Sequence, residues 1–219
     1  MFRIILSAIF LLISTNLSFA DDTKNVEKFV NDLGNNIIKI ADDKKLTLNQ
    51  KREQMIKVIE SVVDIDWIAK FVLGKHYRVA NEAQRANFKE LYHEFMVQTY
   101  SPKFTGYNGE KFSITSVTKD ENFYIAKCLF YPKDEPVINL DFRVKKNTNP
   151  QIKSEFLVFD IVAEGVSLIE TQRSEFGTVI TNDGLDKFLS DLKARNIKLK
   201  ADNAKPQPKS TSKKTQIKK

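Results

Sequence analysis

The chain has 219 residues, of which 42% are hydrophobic and 29% are charged, so it can bury a substantial core. This composition excludes an intrinsically disordered or collagen-like polymer. The single cysteine, Cys128, excludes an intrachain disulfide framework and a zinc site built from several cysteines. Packing must therefore hold the fold together.

The formal net charge of +7 is concentrated at one end of the chain. Residues 198–219 contain eight lysines and one acid, whereas residues 21–197 together carry a net charge of about −1. The terminal segment also has almost no hydrophobic residues, so we expect a disordered Lys-rich tail over 198–219. The nearly neutral body is not expected to bind nucleic acid.

Residues 1–20 have the pattern of a cleaved secretory signal peptide. Arg3 precedes an apolar run over 4–13, and Ser18 and Ala20 are the small residues at positions −3 and −1 of a cut before Asp21. An uncleaved anchor is the alternative, but the run has about half of the roughly twenty residues that span a bilayer. We therefore expect an exported, soluble protein with one globular domain over 21–197.

Apolar residues recur at three- and four-residue steps through the first half of this domain, which predicts helices over 22–44, 49–62, 66–73 and 81–100. The last of these has the clearest signals. Asn81 and Gln84 have the spacing of a capping box, and Pro102 ends the run.

Apolar residues then recur at every second position, and this alternation predicts strands over 111–118, 122–131, 137–146 and 155–163. Their connections are short, so we expect an antiparallel meander. Cys128 lies in the second strand and is interpreted as a small buried hydrophobe rather than a reactive thiol. Within residues 155–159, apolar side chains occupy both faces of the fourth strand, which indicates a central strand covered on both sides.

Helical periodicity returns after Gly165, with Ser167 as a candidate N-cap, and a last helix follows Gly184. The fold class is therefore α+β. N-terminal helices and C-terminal helices flank a curled, four-stranded antiparallel sheet.

Catalytic and metal-binding motifs are not found in the sequence. His76 follows a glycine at a helix end and His93 lies on a helix, where capping or solvated positions explain both. No spacing of acidic and histidine residues suggests a metal site. We expect a protein that is not an enzyme and has no cofactor.

Asp160 stands out because alternation places it with Phe156 and Val158 on an apolar strand face. A carboxylate there needs a partner. One interpretation is a salt bridge or backbone hydrogen bonds that lock the fold, with Arg143 or Arg78 as the cation. The other is a polar group at the rim of a pocket.

Aromatic residues are abundant, with sixteen Phe, six Tyr and one Trp. Many lie at strand positions whose side chains are expected to point inward, or along one face of the 81–100 helix. Ordinary core and a hydrophobic ligand cavity are lined by the same residue types, so this surplus predicts a large apolar interior without naming a ligand.

Three segments together resemble a known family. Residues 71–80 (FVLGKHYRVA), followed by Gln84 and Arg85, are similar to its segment V-L-G-[KR]-x-[YW]-R-x-A…Q-R. Residues 137–143 (VINLDFR) are similar to a second segment, and residues 159–168 (FDIVAEGVSL) to the most specific one. The family is MlaC, the periplasmic phospholipid-binding proteins of the maintenance-of-lipid-asymmetry pathway. The resemblance covers roughly residues 26–192.

This resemblance implies an NTF2-like element that encloses a hydrophobic cavity for phospholipid acyl chains. It also implies a periplasmic carrier between an outer-membrane lipoprotein complex and an inner-membrane ABC transporter complex, with phospholipid as cargo. Arg78 and Arg143 are candidates for contact with the head group at the rim. For the acyl chains we expect the apolar side chains of the strands and of the 81–100 helix and its following segment: Phe95, Tyr100, Phe104, Tyr107, Phe112, Ile114, Phe130, Leu140 and Phe142.

Two other functions remain open at the level of sequence. NTF2-like cones also host small-molecule enzymes, which would require Asp160 and a histidine to converge in a small pocket. The Lys-rich tail would suit a binder of polyanions or anionic membranes, where each lysine adds about 1 kcal/mol near the surface.

Overall fold

A computed structural model of the chain describes residues 22–104, 109–133 and 135–205. The predicted signal peptide and most of the predicted tail lie outside the described residues. Within them, no helix combines the length and the apolar character that crossing a membrane requires.

Among the residues that the structure describes, five α-helices precede the sheet, and their ends follow the sequence signals. Both Thr47 and Asn81 form capping boxes, with Gln50 and Gln84 respectively, and Gly74 ends a helix with a positive φ of 57°. The helices are α1 (Thr23–Asp42), α2 (Leu48–Val62), α3 (Ile65–Leu73), α4 (His76–Val79) and α5 (Glu82–Tyr100). Only the one-turn α4 was not predicted, because four residues are too few to show a period.

The sheet is an antiparallel meander in which neighbouring strands are consecutive in sequence. Its strands are β1 (Lys111–Asp120), β2 (Phe123–Tyr131), β3 (Ile138–Lys146), β4 (Phe156–Ala163) and β5 (Val166–Ser167). The predicted α+β class and four main strands are confirmed. The fifth strand has two residues, which is too short for alternation to reveal.

The two faces of the sheet contact different helices. On the face that we call the inner face, Tyr124, Cys128 and Phe156 are buried and pack with Val26 and Val30 of α1. The opposite, outer face of β4 carries Phe159, which packs against the helical core. Phe156, Leu157 and Val158 are all buried, so β4 is covered on both sides, as its sequence indicates.

Helices α6 (Leu168–Asp183) and α7 (Leu185–Ala204) complete a helical core together with α3 and α5. Its centre is aromatic: Phe88, Tyr92, Phe95, Phe176 and Phe188 are all buried and in ring contact with one another. Helix α7 continues past the tail boundary that the composition predicts at residue 198. Its last turn is held because Asn203 donates to the carbonyl of Gln98 and accepts from Arg52.

Cys128 gives a simple test of the inner-face packing. Its side chain is 2% exposed, and burial raises the pKa of the thiol to about 12. We expect no reaction with a thiol reagent such as DTNB at pH 8 in the native protein, and complete reaction of this single thiol in denaturant. Fast labelling of the folded chain would contradict the observed packing.

Asp22 ties the start of α1 to the sheet, since its carboxylate accepts from Lys146 at 2.8 Å and from Tyr124 at 3.3 Å. The hydrogen bond from Lys146 is the main reason why the pKa of Asp22 is lowered below its usual 3.8.

A carboxylate whose pKa is lower in the folded than in the unfolded protein stabilises the fold at pH values above its unfolded pKa. This contribution is lost as the pH falls through the lower pKa of the folded state. We therefore expect Asp22→Asn to lower the Tm at pH 7, and the difference from wild type to shrink as the pH falls below about 4. Thermal melts of both proteins between pH 7 and pH 3 measure this. A constant difference across that range would contradict it.

Candidate functional site

A strip of half-buried apolar side chains lies on the inner face of the sheet. Its members are Phe112, Ile114, Leu140, Phe142 and Ile161, which we call the apolar strip. The strand register places them together, because Ile114 and Leu140 both pair with Cys128, and Phe142 pairs with Ile161. Side chains that share a register position on antiparallel strands point to the same face.

The members of the strip on β3 and β4 are half-buried because of where α1 lies. Helix α1 packs mainly on β1 and β2, so it covers the inner face less fully over β3 and β4. The helix also comes very close to β1: a Cβ added at Gly34 would lie 2.9 Å from Cδ1 of Phe112. A glycine at this position therefore lets α1 rest directly on the Phe112 ring.

Phe112 and Phe142 form the centre of the strip. Their rings are 6.0 Å apart with an interplanar angle of 87°, an edge-to-face contact that orients both rings. Phe130 pairs with Phe112 and so extends the same face at the strand end, where it is also half-buried. The strip carries no charged side chain, so its chemistry suits an apolar ligand that lies along the sheet.

A groove of about 670 Å³ runs along α1, bordered by α2 and by the connection between β3 and β4. Phe29 and Leu33 of α1 line it and also pack against the inner-face core. Neither residue, nor Ile161, was a candidate from the sequence. The helix period identifies Phe29 and Leu33 as core, but it cannot show which core residues border open space.

Two of the predicted lipid-contacting residues have their contacts among the helices: Phe95 lies in the helical core, and Tyr100 bonds to α6. Phe95 is 3% exposed and packs on Tyr92 and Phe176. The hydroxyl of Tyr100 accepts from Gln172 at 3.0 Å, and burial raises the pKa of Tyr100. Tyr107 lies outside the described residues, and so does the side chain of Phe104.

Asp160 is 2% exposed and faces away from the strip. The register shifts between Arg143 and Val144, so that Arg143 pairs with Asp160 while Val144 pairs with Val158. This β-bulge turns Asp160 to the outer face, and the prediction that it shares a face with Phe156 and Val158 was therefore wrong.

The carboxylate of Asp160 has three partners. It accepts from the guanidinium of Arg143 at 3.1 Å, from the hydroxyl of Ser167 at 2.7 Å and from the backbone N–H of Ile169 at 3.2 Å. The last two groups belong to the N-terminus of α6, where a negative charge is favourable. These contacts agree with the first interpretation, in which Asp160 locks the fold and Arg143 is its cation.

The two candidate head-group residues are accordingly not beside the strip. Arg143 follows Phe142 directly and so points to the outer face, where it also contacts Glu170 at 3.2 Å. Arg78 is exposed on α4.

Asp160 is not bonded to either histidine, and His93 instead contacts Glu60 at 2.9 Å on the surface. No cluster of potential metal ligands occurs among the described residues.

Comparison with known proteins gives consistent results. A family model described as MlaC protein matches residues 31–194. The chain is 24% identical over 169 residues to the intermembrane phospholipid transport system binding protein MlaC of Haemophilus influenzae, with 76% of each chain covered. A solved structure of the phospholipid-binding protein from Ralstonia solanacearum, in complex with a phospholipid, has a similar fold. The TM-score is 0.68 at 21% identity, covering 80% of this chain and 98% of that one.

Asp160→Asn should be strongly destabilising, because it leaves Arg143 without its buried counter-charge and weakens the cap of α6. We expect the free energy of unfolding to fall by about 3 kcal/mol, measured by urea denaturation. Glu170→Gln is the matched control. It removes the exposed carboxylate on the same arginine and should cost at most about 1 kcal/mol. Equal effects of the two substitutions would contradict the assignment.

Proposed function

Because the chain belongs to the MlaC family, we propose that it is a soluble carrier that holds one phospholipid and moves it through the periplasm between the outer and the inner membrane. The observation that carries this proposal is the apolar strip, a contiguous uncharged surface on a sheet face that otherwise lines a core. If this face served packing alone, the strip would be covered as fully as the neighbouring residues Ala126, Cys128 and Val144, which are buried.

The physical need for such a carrier follows from the cost of exposing acyl chains to water. A phospholipid has about thirty methylene groups in its tails, and at about 0.8 kcal/mol each their exposure costs roughly 25 kcal/mol. Free diffusion between two membranes is therefore negligible. A protein surface that receives the tails at nearly their energy in the bilayer removes most of that barrier.

Within this proposal the strip contacts the tails, together with the two apolar side chains of α1 that pack on the same inner-face core. Phe112, Ile114, Leu140 and Phe142 are the members that the sequence already suggests, and Ile161, Phe29 and Leu33 extend the surface. Phe95 is enclosed by protein, so its contribution is to support the helical core. The edge-to-face pair of Phe112 and Phe142 keeps the wall rigid, which lowers the entropic cost of seating a chain.

Loading and unloading would occur at the two membranes, at an outer-membrane lipoprotein complex and an inner-membrane ABC transporter complex. Support for these partners comes from the family and from the name of the Haemophilus relative, which is part of an intermembrane phospholipid transport system. A carrier that only equilibrates lipid supplies no energy, so net direction would depend on the ATP-driven partner. The signal peptide predicted over 1–20 agrees with the periplasm as location.

Purification of the chain without detergent, followed by native mass spectrometry, tests the proposal. We expect about one phospholipid per protein. Phe142→Arg should reduce the bound lipid about tenfold or more, because a guanidinium against acyl chains costs roughly 2.5–3.5 kcal/mol.

Thr118→Arg is the matched control, since it adds the same side chain to an exposed position on the other face of the sheet. It should retain lipid at the wild-type level. If the Phe142 variant is folded and equally loaded, the strip is not the binding surface. If the wild type never carries lipid, the carrier function itself is overturned.

A further inference from the structure

A second pocket lies where α3, α4 and α6 meet, and its charge is unusual. Its volume is about 340 Å³, and four cationic side chains line it: Lys70, Lys75, Arg78 and Arg173. The remaining lining consists of Gly74 and three aromatic residues, with no carboxylate among the described residues that border it. We call it the cationic pocket.

Two of the four cations are held over aromatic rings. The guanidinium of Arg173 lies 4.8 Å from the centre of the Phe71 ring, and the ammonium of Lys70 lies 5.2 Å from that of Tyr77. Gly74 makes room for Arg173, since a Cβ there would approach its Nε to 3.0 Å. These two charged groups are thus positioned before any ligand arrives.

Two of the nearby acids are already paired with other cations. Glu170 pairs with Arg143, and Asp66 pairs with Lys89. Within the part of the chain that the structure describes, none of the four pocket cations forms an ion pair. Four like charges around one small volume repel one another, and an anion between them would relieve that repulsion.

This pocket is separate from the apolar strip. Its Trp67 packs edge-on against Phe159 at 5.8 Å and lies under the ammonium of Lys145 at 3.9 Å. Phe159 and Lys145 belong to the outer face, whereas the strip lies on the inner face. The phosphate of a lipid whose tails lie on the strip is therefore on the wrong side of the sheet to enter the pocket.

We propose that the cationic pocket binds a phosphate group, either free in solution or in the head group of an anionic phospholipid at a membrane surface. A phosphate offers several oxygens to donors that converge from different directions, whereas a carboxylate offers two in one plane. The half-exposed ring of Trp67 and the adjacent Tyr77 are side chains that favour the membrane interface. This second contact goes beyond carriage of a lipid on the strip.

Trp67 is the only tryptophan in the chain, so its fluorescence reports directly on this pocket. The full mature protein is titrated with inorganic phosphate, with sn-glycerol 3-phosphate, and with vesicles of phosphatidylglycerol or of phosphatidylcholine. A saturable change with the soluble phosphates identifies free phosphate as the ligand. A change with phosphatidylglycerol vesicles alone identifies the membrane head group. The absence of any change overturns the proposal, and so does a response to polyglutamate alone, which would indicate an acidic protein partner.

Paired variants assign the response to the pocket. Lys70→Gln combined with Arg173→Gln should weaken binding about tenfold or more. Lys193→Gln combined with Lys200→Gln removes the same charge from exposed positions of α7 and should change it less than about twofold. Equal losses in the two double variants would show non-specific attraction and overturn the proposal.

A second pair keeps the test decisive if the ring-stacked cations prove necessary for folding. Lys75→Gln combined with Arg78→Gln alters only exposed side chains of the pocket and should also weaken binding. Phe142→Arg, which tests the strip, should leave the Trp67 response unchanged. Loss of the response in that variant would mean that the signal comes from lipid loading and not from the pocket.

Discussion

The buried carboxylate of Asp160 is the interaction on which the arrangement of sheet and helices depends. It joins three segments that are adjacent in space, namely β3 through Arg143, β4, which carries Asp160 itself, and the first turn of α6 through Ser167 and Ile169. A buried charge is tolerated only when its hydrogen bonds are satisfied, so these three partners are constrained together. The β-bulge that turns Asp160 outward is the local distortion that makes this possible.

That constraint gives the two faces of the sheet different roles. Because the outer face of β4 is attached to α6, the C-terminal helices, α3 and α5 assemble on that side into an aromatic core. On the inner side α1 packs mainly on β1 and β2, so part of the apolar surface over β3 and β4 is left half-buried. The surface proposed for acyl chains is uncharged, and the pocket on the helical side is surrounded by cations. A phospholipid carrier that also docks on phosphate groups would need these two chemistries to be kept apart, as the sheet keeps them here.

The sequence predicted secondary structure correctly where that structure depends only on residues close together in the chain. The capping box at Asn81 and the period-two strands appear as predicted, because caps and alternation depend on neighbours within a few residues. The residue at which α7 ends could not be predicted from composition. Residues 198–204 have the polar content of a tail, yet Gln98 and Arg52 bind Asn203 and extend the helix to Ala204. Such a contact between distant segments leaves no trace in the local pattern.

The α+β class, the antiparallel meander and the membership of the MlaC family follow from the order of the amino acids alone, because periodicity, turn residues and motif spacing are properties of the linear chain. Which apolar residues are core and which border open space depends on how distant segments pack in the folded protein. Phe95 and Phe142 have the same hydrophobic character, but Phe95 is buried among packed helices, whereas Phe142 is half-buried on the inner face of the sheet. Likewise Phe142 and Arg143 were both candidates for one site, yet successive residues of a strand point to opposite faces, and the bulge in β4 places Asp160 beside the arginine. Exposure depends on what covers a residue, and the covering elements here come from distant parts of the chain.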